Sequence, residues 1–448
     1  MTEGASIEVR CFHDVAQAAP LRAEMDALCR EAERPDPFST LAFYENFLDR
    51  DEFRHQDRGR QLWLLCAFER GRLVGYLPLR RTEKRFLGAR TRRLELLATH
   101  DSDRPRIVCR RGDGEQIRDA LVAHLVARAR EWDSLQLVQQ EPSSPLVALP
   151  DLLPRYYGRR AAGRDNATIP IRWPDLAAFH ASCSKKMRNN FARLMRRLFA
   201  AGELSALRSA HPEALPRLFE LYRFAEAHAW KATAGAAIAR SAARVEYFHG
   251  LFDPRQPMRV SIGLILLDGV PVAGLVDGRY GRRMFALETC YDARLSSMGP
   301  GRAMLLMGLR EAIRGGAESY NLLSGFSYFK RHWQAEITPT VNVELYRPAT
   351  IALAKAWLGD LKRRVMPSRG PSDDFNPARR EVDEPEAAAE YDPPPELAPP
   401  AQRERFAELV AGVRALPDGE FLDADALAAV LPFEARRPPA AASSLAPS

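Results

Sequence analysis

Two stretches of this sequence repeat one local design. Phe68-Glu69-Arg70-Gly71-Arg72-Leu73-Val74-Gly75 and Leu267-Asp268-Gly269-Val270-Pro271-Val272-Ala273-Gly274 each run from an apolar segment through a glycine-bearing turn into a strand of small residues. A glycine beside a charged residue between two apolar runs marks a tight β-hairpin. Hairpins are common. Each of these two, however, is followed by strand, helix and strand, and that succession occurring twice argues for two copies of one module. The expected fold class is therefore α/β (α+β), each module a mixed, mostly antiparallel sheet flanked by helices.

The first module reads as strand Ile7–Phe12, helices at Pro20–Ala32 and Ser39–Leu48, the hairpin Leu62–Phe68 and Leu73–Leu79, and strand Arg93–Ala98. The segment Arg106–Cys109, helix Gly114–Glu131 and strand Ser134–Gln139 complete it. The second opens with a helix at Ser182–Phe199, strand Leu204–Arg208 and helices at Pro212–Trp230 and Ser241–Leu251. The hairpin Val260–Leu267 and Val272–Asp277, strand Arg283–Tyr291, helix Arg302–Arg314, strand Ser319–Leu323 and a final strand Thr340–Tyr346 follow. The domains expected are 1–165, 166–350, a basic amphipathic segment 351–366, and a tail 367–448.

The tail differs in composition. Residues 371–448 carry a net charge of −9 and 13 of the 33 prolines, against +16 on residues 1–370. Residues 367–402 read as a disordered acidic linker. Helical spacing at Phe406, Leu409, Val410 and Val413, and an apolar patch at Phe421–Phe433, read equally as a docking motif for the body or a partner protein and as transient helix. The basic body suits an anionic partner, though liberal use of arginine on a solvated surface gives the same charge. No apolar run is long enough to span a bilayer, and the first residues lack a basic-then-apolar leader pattern. The six cysteines form no C-x-x-C pair, so reduced thiols in a cytoplasmic protein are expected, with no disulfide framework and no metal.

The stretch Arg283–Trp333 holds most of the chemistry. In an alternating strand Glu288 shares a face with Met284, Ala286 and Cys290, an apolar setting that raises a carboxyl's pKa toward that of a general base. The turn Met298-Gly299-Pro300-Gly301-Arg302 can turn the backbone N–H groups of Gly299–Ala303 outward at a helix start, where they and the helix dipole bind phosphate. A Gly-containing turn that binds nothing has the same sequence. No G-x-x-x-x-G-K-[ST] and no G-x-G-x-x-G is present. The helix from Ser184 places Met187, Phe191, Leu194 and Leu198 on one face. Its basic residues, Lys186 and Arg188 among them, read as an anion-contacting or simply solvated face. His100, Asp101, Asp103 and Arg104 at a strand end suit acceptor binding or an ordinary polar loop. Thr350–Met366, with Trp357 among lysines and arginines, reads as packing on the body or as lying on an anionic membrane, which would make the protein peripheral to an inner membrane.

These segments resemble the GNAT acyltransferase superfamily and, more narrowly, its FemAB-like and CelD-type (cellulose-biosynthesis-associated) members with tandem modules. Three places carry the likeness: Ser184-Lys185-Lys186-Met187-Arg188-Asn189-Asn190; Tyr291-Asp292-Ala293 with Ser297-Met298-Gly299-Pro300-Gly301; and Tyr320-Asn321-Leu322-Leu323-Ser324-Gly325 with Tyr328-Phe329-Lys330-Arg331-His332-Trp333. The sequence departs from the family pattern at Asn321, where the family has Asp. It departs also at Phe326 and Ser327, which replace a polar, acidic pair, at Phe329, and in Gly-Pro-Gly for Ser-Pro-Gly.

The resemblance implies an acyltransferase using acetyl-CoA or another acyl-CoA. On it, Gly299, Gly301, Arg302, Ala303, Cys290 and Lys330 bind the donor. Glu288 and Asp292 supply the base, and Tyr291 or Tyr328 protonates the leaving thiolate. His100, Asp101, Asp103, Arg104, Lys186 and Arg188 face the acceptor, an amine or hydroxyl of a cell-envelope or exopolysaccharide precursor. Two alternatives stay open: a Fem-like transferase whose donor is aminoacyl-tRNA, and a non-catalytic scaffold of envelope polysaccharide synthesis.

Overall fold

The computed structural model describes residues 7–50, 61–86, 88–98, 102–229, 232, 237–324, 333–365 and 396–431. The chain divides into two compact units. The first comprises the described residues of Met1–Thr168, Glu246–Met258 and Asn321–Arg380, the second those of Ile169–Val245, Arg259–Tyr320 and Glu381–Ser448.

The strands are β1 (Ile7–Phe12), β2 (Gln61–Glu69), β3 (Arg72–Phe86), β4 (Ala89–Leu96), β5 (Val108–Cys109), β6 (Ser134–Gln140), β7 (Tyr157–Ala162), β8 (Asn166–Pro170), β9 (Leu204–Ser209), β10 (Arg259–Leu267), β11 (Val270–Tyr280), β12 (Arg283–Tyr291), β13 (Ser319–Ser324), β14 (Glu336–Thr338), β15 (Val341–Tyr346) and β16 (Glu420–Leu422). The main helices are α1 (Arg22–Glu31), α2 (Leu41–Arg50), α3 (Gly114–Ala127), α4 (Lys185–Ala200), α5 (Leu215–Ala227), α6 (Ala242–Leu251), α7 (Pro300–Arg314), α8 (Ile351–Val365), α9 (Pro400–Arg414) and α10 (Ala424–Val430).

The first sheet runs β1-β2-β3-β4-β6-β15-β7, with β5 paired to β3. Its one parallel junction is β4 with β6; β1–β2, β2–β3, β3–β4 and β6–β15–β7 are antiparallel. Trp63, Leu65, Leu77, Leu79, Leu94, Leu135, Leu137, Val343 and Leu345 fill its core, with Leu121 and Leu125 supplied by α3. The second unit's sheet runs β13-β12-β11-β10-β9-β16. Helices α5 and α7 cover it on opposite faces, Tyr222 of α5 lying against Gly274 and Gly308 of α7 against Leu275. The first sheet is mixed and mostly antiparallel, and the β9–β10, β10–β11, β11–β12 and β9–β16 ladders of the second are antiparallel, in keeping with the sequence.

The two hairpins are alike in detail. Arg70 and Gly71 (φ +50° and +77°) turn the first, Asp268 and Gly269 (+49° and +76°) the second. These are the left-handed pairs that a two-residue hairpin matching strand twist requires. Each ladder then slips by one residue at the same offset, leaving Val74 and Val272 extra between Leu73/Gly75 and Pro271/Ala273. A shared turn and a shared bulge are a stronger mark of repetition than the sequence likeness.

Two segments differ from expectation, and a third takes one of the readings left open for it. Thr340–Tyr346, expected to complete the second module, pairs as β15 between β6 and β7 in the first sheet. Strands β7 and β8 went unread; β7, Tyr157–Ala162, is an Arg-bearing, half-exposed edge strand without apolar alternation. The helical patches of the tail are packed structure. β16 pairs with β9, Phe406 is 5% exposed, and its ring meets Phe224 edge-on at 4.7 Å. Residues 396–431 therefore belong to the second unit.

Candidate active site

The strand β12 carries the candidate chemistry, and its ladder is irregular. Ala286 pairs with Asp277 but Glu288 pairs with Val276, so Leu287 is an extra residue. Such a bulge flips the alternation beyond it. Glu288 and Cys290, opposite Val276 and Gly274, share the α5 face, whereas Met284 and Ala286 share the α7 face with Asp277. The expectation that all four lie on one face is thereby corrected. The corresponding β3–β4 ladder of the first unit runs without a slip from Leu79 to Phe86.

On the α5 face Glu288 is 6% exposed and its Oε1 accepts from Arg244 Nη2 at 2.6 Å. Around it stand Tyr222 and Glu226, both fully buried. Glu226 Oε2 accepts the Ile238 N–H at 2.9 Å. Cys290 Sγ lies 3.8 Å from the Tyr222 carbonyl oxygen. Burial, then the neighbouring Cys290, Glu288 and Glu226, push the Tyr222 phenol well above its ordinary pKa, so it stays protonated. Arg244, Glu226 and Tyr222 were not read from the sequence, since no local pattern ties α5 and α6 to this strand.

Asp292 is 2% exposed and caps the short 3-10 helix Ala293–Met298 by accepting the Arg294 N–H at 3.0 Å. The Arg294 guanidinium holds its carboxylate at 2.6 Å. Both carboxylate oxygens are thus engaged in the turn, which favours a structural role over that of a base.

The turn that follows is tighter than a phosphate cradle needs. Gly299 has φ +70° and lies under Leu194 of α4. Its carbonyl oxygen accepts the N–H groups of Arg302 (3.0 Å) and Ala303 (3.2 Å), and Pro300 has none to give. Gly301 keeps the first-turn amide that has no acceptor among the described residues. A Cβ there would sit 2.6 Å from Cδ1 of Tyr291, so the glycine is needed for ring packing. A donor phosphate at this helix start fits one amide and the Arg302 side chain, in place of four amides. In the first unit, α3 also starts at a glycine turn, Gly112 (φ +94°) and Gly114. Asp113 between the two glycines puts a negative charge at that helix start.

The expected acceptor residues separate. Lys186 is exposed on α4. Arg188 donates to the carbonyls of Ala181 (3.2 Å) and Cys183 (2.5 Å), capping the helix Leu176–Ser182 that precedes its own. Asp103 and Arg104 are only 2% and 5% exposed. The Asp103 carboxylate accepts from Asn166 (2.7 Å), Asn321 (2.8 Å), Arg34 (3.2 Å) and Arg104 (3.0 Å). Arg104 also reaches Glu141 at 2.6 Å. This is an internal polar network of the first unit, and Asn321 is a member of it. His100, Asp101, Phe326, Ser327, Tyr328, Phe329 and Lys330 lie outside the described residues.

Among the described residues no cluster of His, Cys, Asp and Glu could hold a metal ion, and all six cysteines are free thiols. No described helix is long and apolar enough to cross a membrane.

Residues 185–331 match the acetyltransferase (GNAT) domain family. That segment includes the bulged strand, the glycine turn and α7, and the match supports an acyltransferase; GNAT domains in general use an acyl-CoA. Among solved structures the chain is similar to FemX, at 12% identity and a TM-score of 0.49 over 80% of this chain and 100% of that one. It is similar also to a tandem GNAT protein from the clavulanic acid biosynthesis pathway, at 15% identity and a TM-score of 0.43 over 77% of this chain and 100% of that one. A third is a GCN5-related N-acetyltransferase from Sphaerobacter thermophilus, at 12% identity and a TM-score of 0.35 over 77% and 97% of the two chains. No curated protein is similar enough in sequence to count as a match.

Proposed function

We propose that the chain is an N- or O-acyltransferase that takes its acyl group from acetyl-CoA or another acyl-CoA and passes it to an amine or hydroxyl. The observation that carries this is the bulge at Leu287 inside the GNAT-matched segment. It sets Glu288, held by Arg244, on a different face of the sheet from the neighbours that simple alternation assigns it. In this reading Glu288 takes the proton from the attacking amine or hydroxyl, and Arg244 positions its carboxylate. Tyr291, whose ring lies on Gly301, is in this reading the acid for the departing thiolate. The Gly301 amide and Arg302 hold the donor's phosphates at the start of the fifteen-residue α7. The acceptor class, a cell-envelope or exopolysaccharide precursor, rests on the family resemblance.

Calorimetric titration of the full chain with CoA and acetyl-CoA tests the donor. Micromolar binding that Arg302→Glu weakens at least tenfold supports the assignment. No binding of either ligand overturns it. If the chain instead binds aminoacyl-tRNA, with affinity falling steeply as salt rises, the donor is the Fem-like one.

A further inference from the structure

Helix α8 is mounted the wrong way out for a helix of a water-soluble surface. Its small residues Ala352 and Ala356 are 7% and 6% exposed, whereas Trp357, Leu358 and Leu361 are 57%, 58% and 58% exposed and Ile351 is 40%. At 100° per residue these four fall in one arc, opposite the alanines. The orientation is fixed by polar contacts. Asp360 accepts from Tyr157 Oη (2.8 Å) and Arg159 Nη1 (2.7 Å) of β7, and Trp357 meets Tyr157 edge-on. A contiguous large apolar face rimmed by charge marks an interaction surface.

The rim is basic. Between α8 and the first sheet lies a groove of about 340 Å³ whose lining includes Lys84, Arg85, Arg93, Arg159 and Lys355. Arg159 is neutralised by Glu344 and Asp360. Lys84 and Arg85 make no ion pair among the described residues. The sequence adds Lys362, Arg363 and Arg364 at the helix's C-terminal end.

We propose that α8 and this groove form a docking surface for an anionic lipid bilayer, the Trp357–Leu358–Leu361 face entering the interface and the groove taking a lipid phosphate. An exposed tryptophan and leucines beside the unpaired Lys84 and Arg85 complement such a surface in both apolarity and charge. A second copy of this chain would bring an equally basic groove against the first. The segment 366–395 offers Met366, Phe375, Val382 and Tyr391 as its only large apolar residues, too widely spaced to cover the face. The inference is independent of the acyl-CoA reading.

The test is flotation of the full chain with vesicles of phosphatidylcholine alone and with one-third phosphatidylglycerol. Binding at least tenfold tighter to the anionic vesicles is expected. Leu358→Glu/Leu361→Glu should abolish it while leaving the circular dichroism and Tm unchanged, because both side chains are exposed. Lys84→Glu/Arg85→Glu should remove the preference for anionic lipid. Wild-type protein that ignores both vesicles, or binding that survives Leu358→Glu/Leu361→Glu, overturns the proposal. So does a wild-type dimer that this double variant turns into a monomer without any vesicle binding, which would assign the face to a second copy.

Discussion

Asn321→Asp would install the residue found in the family this segment resembles and, in this chain, should unfold the first unit more easily. Asn321 uses both ends of its carboxamide. Its Nδ2 donates to Asp103 Oδ2 at 2.8 Å, and its Oδ1 accepts the Leu323 N–H at 2.8 Å. An aspartate keeps the second contact and turns the first into two facing carboxylates. At that separation and an effective dielectric of about 20 they repel by roughly 6 kcal/mol. The folded unit escapes this by keeping one carboxyl protonated. That costs about 1.4 kcal/mol per pH unit above the ordinary carboxyl pKa, or about 4 kcal/mol at pH 7 and about 1.5 at pH 5. The sign follows from proton counts: the folded variant holds a proton that the unfolded chain has lost, so its deficit grows as pH rises. Urea denaturation of wild type and variant at pH 5 and pH 7 measures the difference. Asp103→Asn/Asn321→Asp, which again pairs one carboxylate with one carboxamide, should recover much of the loss. A variant as stable as wild type at pH 7, a deficit equal at both pH values, or a double variant worse than Asn321→Asp would refute the reasoning.

Three further outcomes are expected. Glu288→Gln should lower turnover by about 10²–10⁴-fold with CoA affinity retained, read as thiol release from acetyl-CoA against a panel of amines and saccharides; unchanged turnover removes Glu288 as base. Tyr320→Phe deletes the phenol that donates to the buried Asp277 carboxylate at 2.6 Å, where Arg208 remains at 2.9 Å, and should cost about 1–3 kcal/mol in chemical denaturation. Burial pushes the Cys11 and Cys29 thiols up to about 12 and Cys109 to about 11. With so little thiolate at pH 8, these three should react with a disulfide reagent at least a hundredfold slower in the native protein than in urea.

Local patterns were legible and distant ones were not. Strands Ile7–Phe12 and Arg283–Tyr291 stand at the bounds their residues implied, because strong alternation or β-branched and aromatic content fixes a strand before any partner is known. The hairpin turns followed from a glycine beside a residue forced to positive φ. Nothing in Val341–Tyr346 says which sheet it joins: its apolar alternation fits an inner strand of either, and its partners β6 and β7 lie well over a hundred residues away. The tail shows the same limit. Acidic, proline-rich composition describes 367–395, and the apolar spacing beyond it marks pieces able to dock without saying that they fold onto the second unit.

The same division explains the site. A carboxylate in an apolar strand drew notice to Glu288, yet its face depends on one extra residue, Leu287, which no periodicity marks. Its partner Arg244 comes from a helix read only as a helix. Asn321 is the instructive case. Taken singly it looked like a lost family acid. In the structure its amide meets Asp103, so a carboxylate at 321 would face another across a buried hydrogen bond. Three backbone positions near this network, Arg104, Gln139 and Leu323, have positive φ (+36°, +55° and +57°) without being glycine, a strain that persists only where surrounding contacts over-determine it. The network thus already holds a buried carboxylate at Asp103, and the carboxamide at 321 is its hydrogen-bonding complement. If that is so, Asp at 321 and Asp at 103 should exclude each other wherever this network is built, which is the pairing the double variant is designed to test.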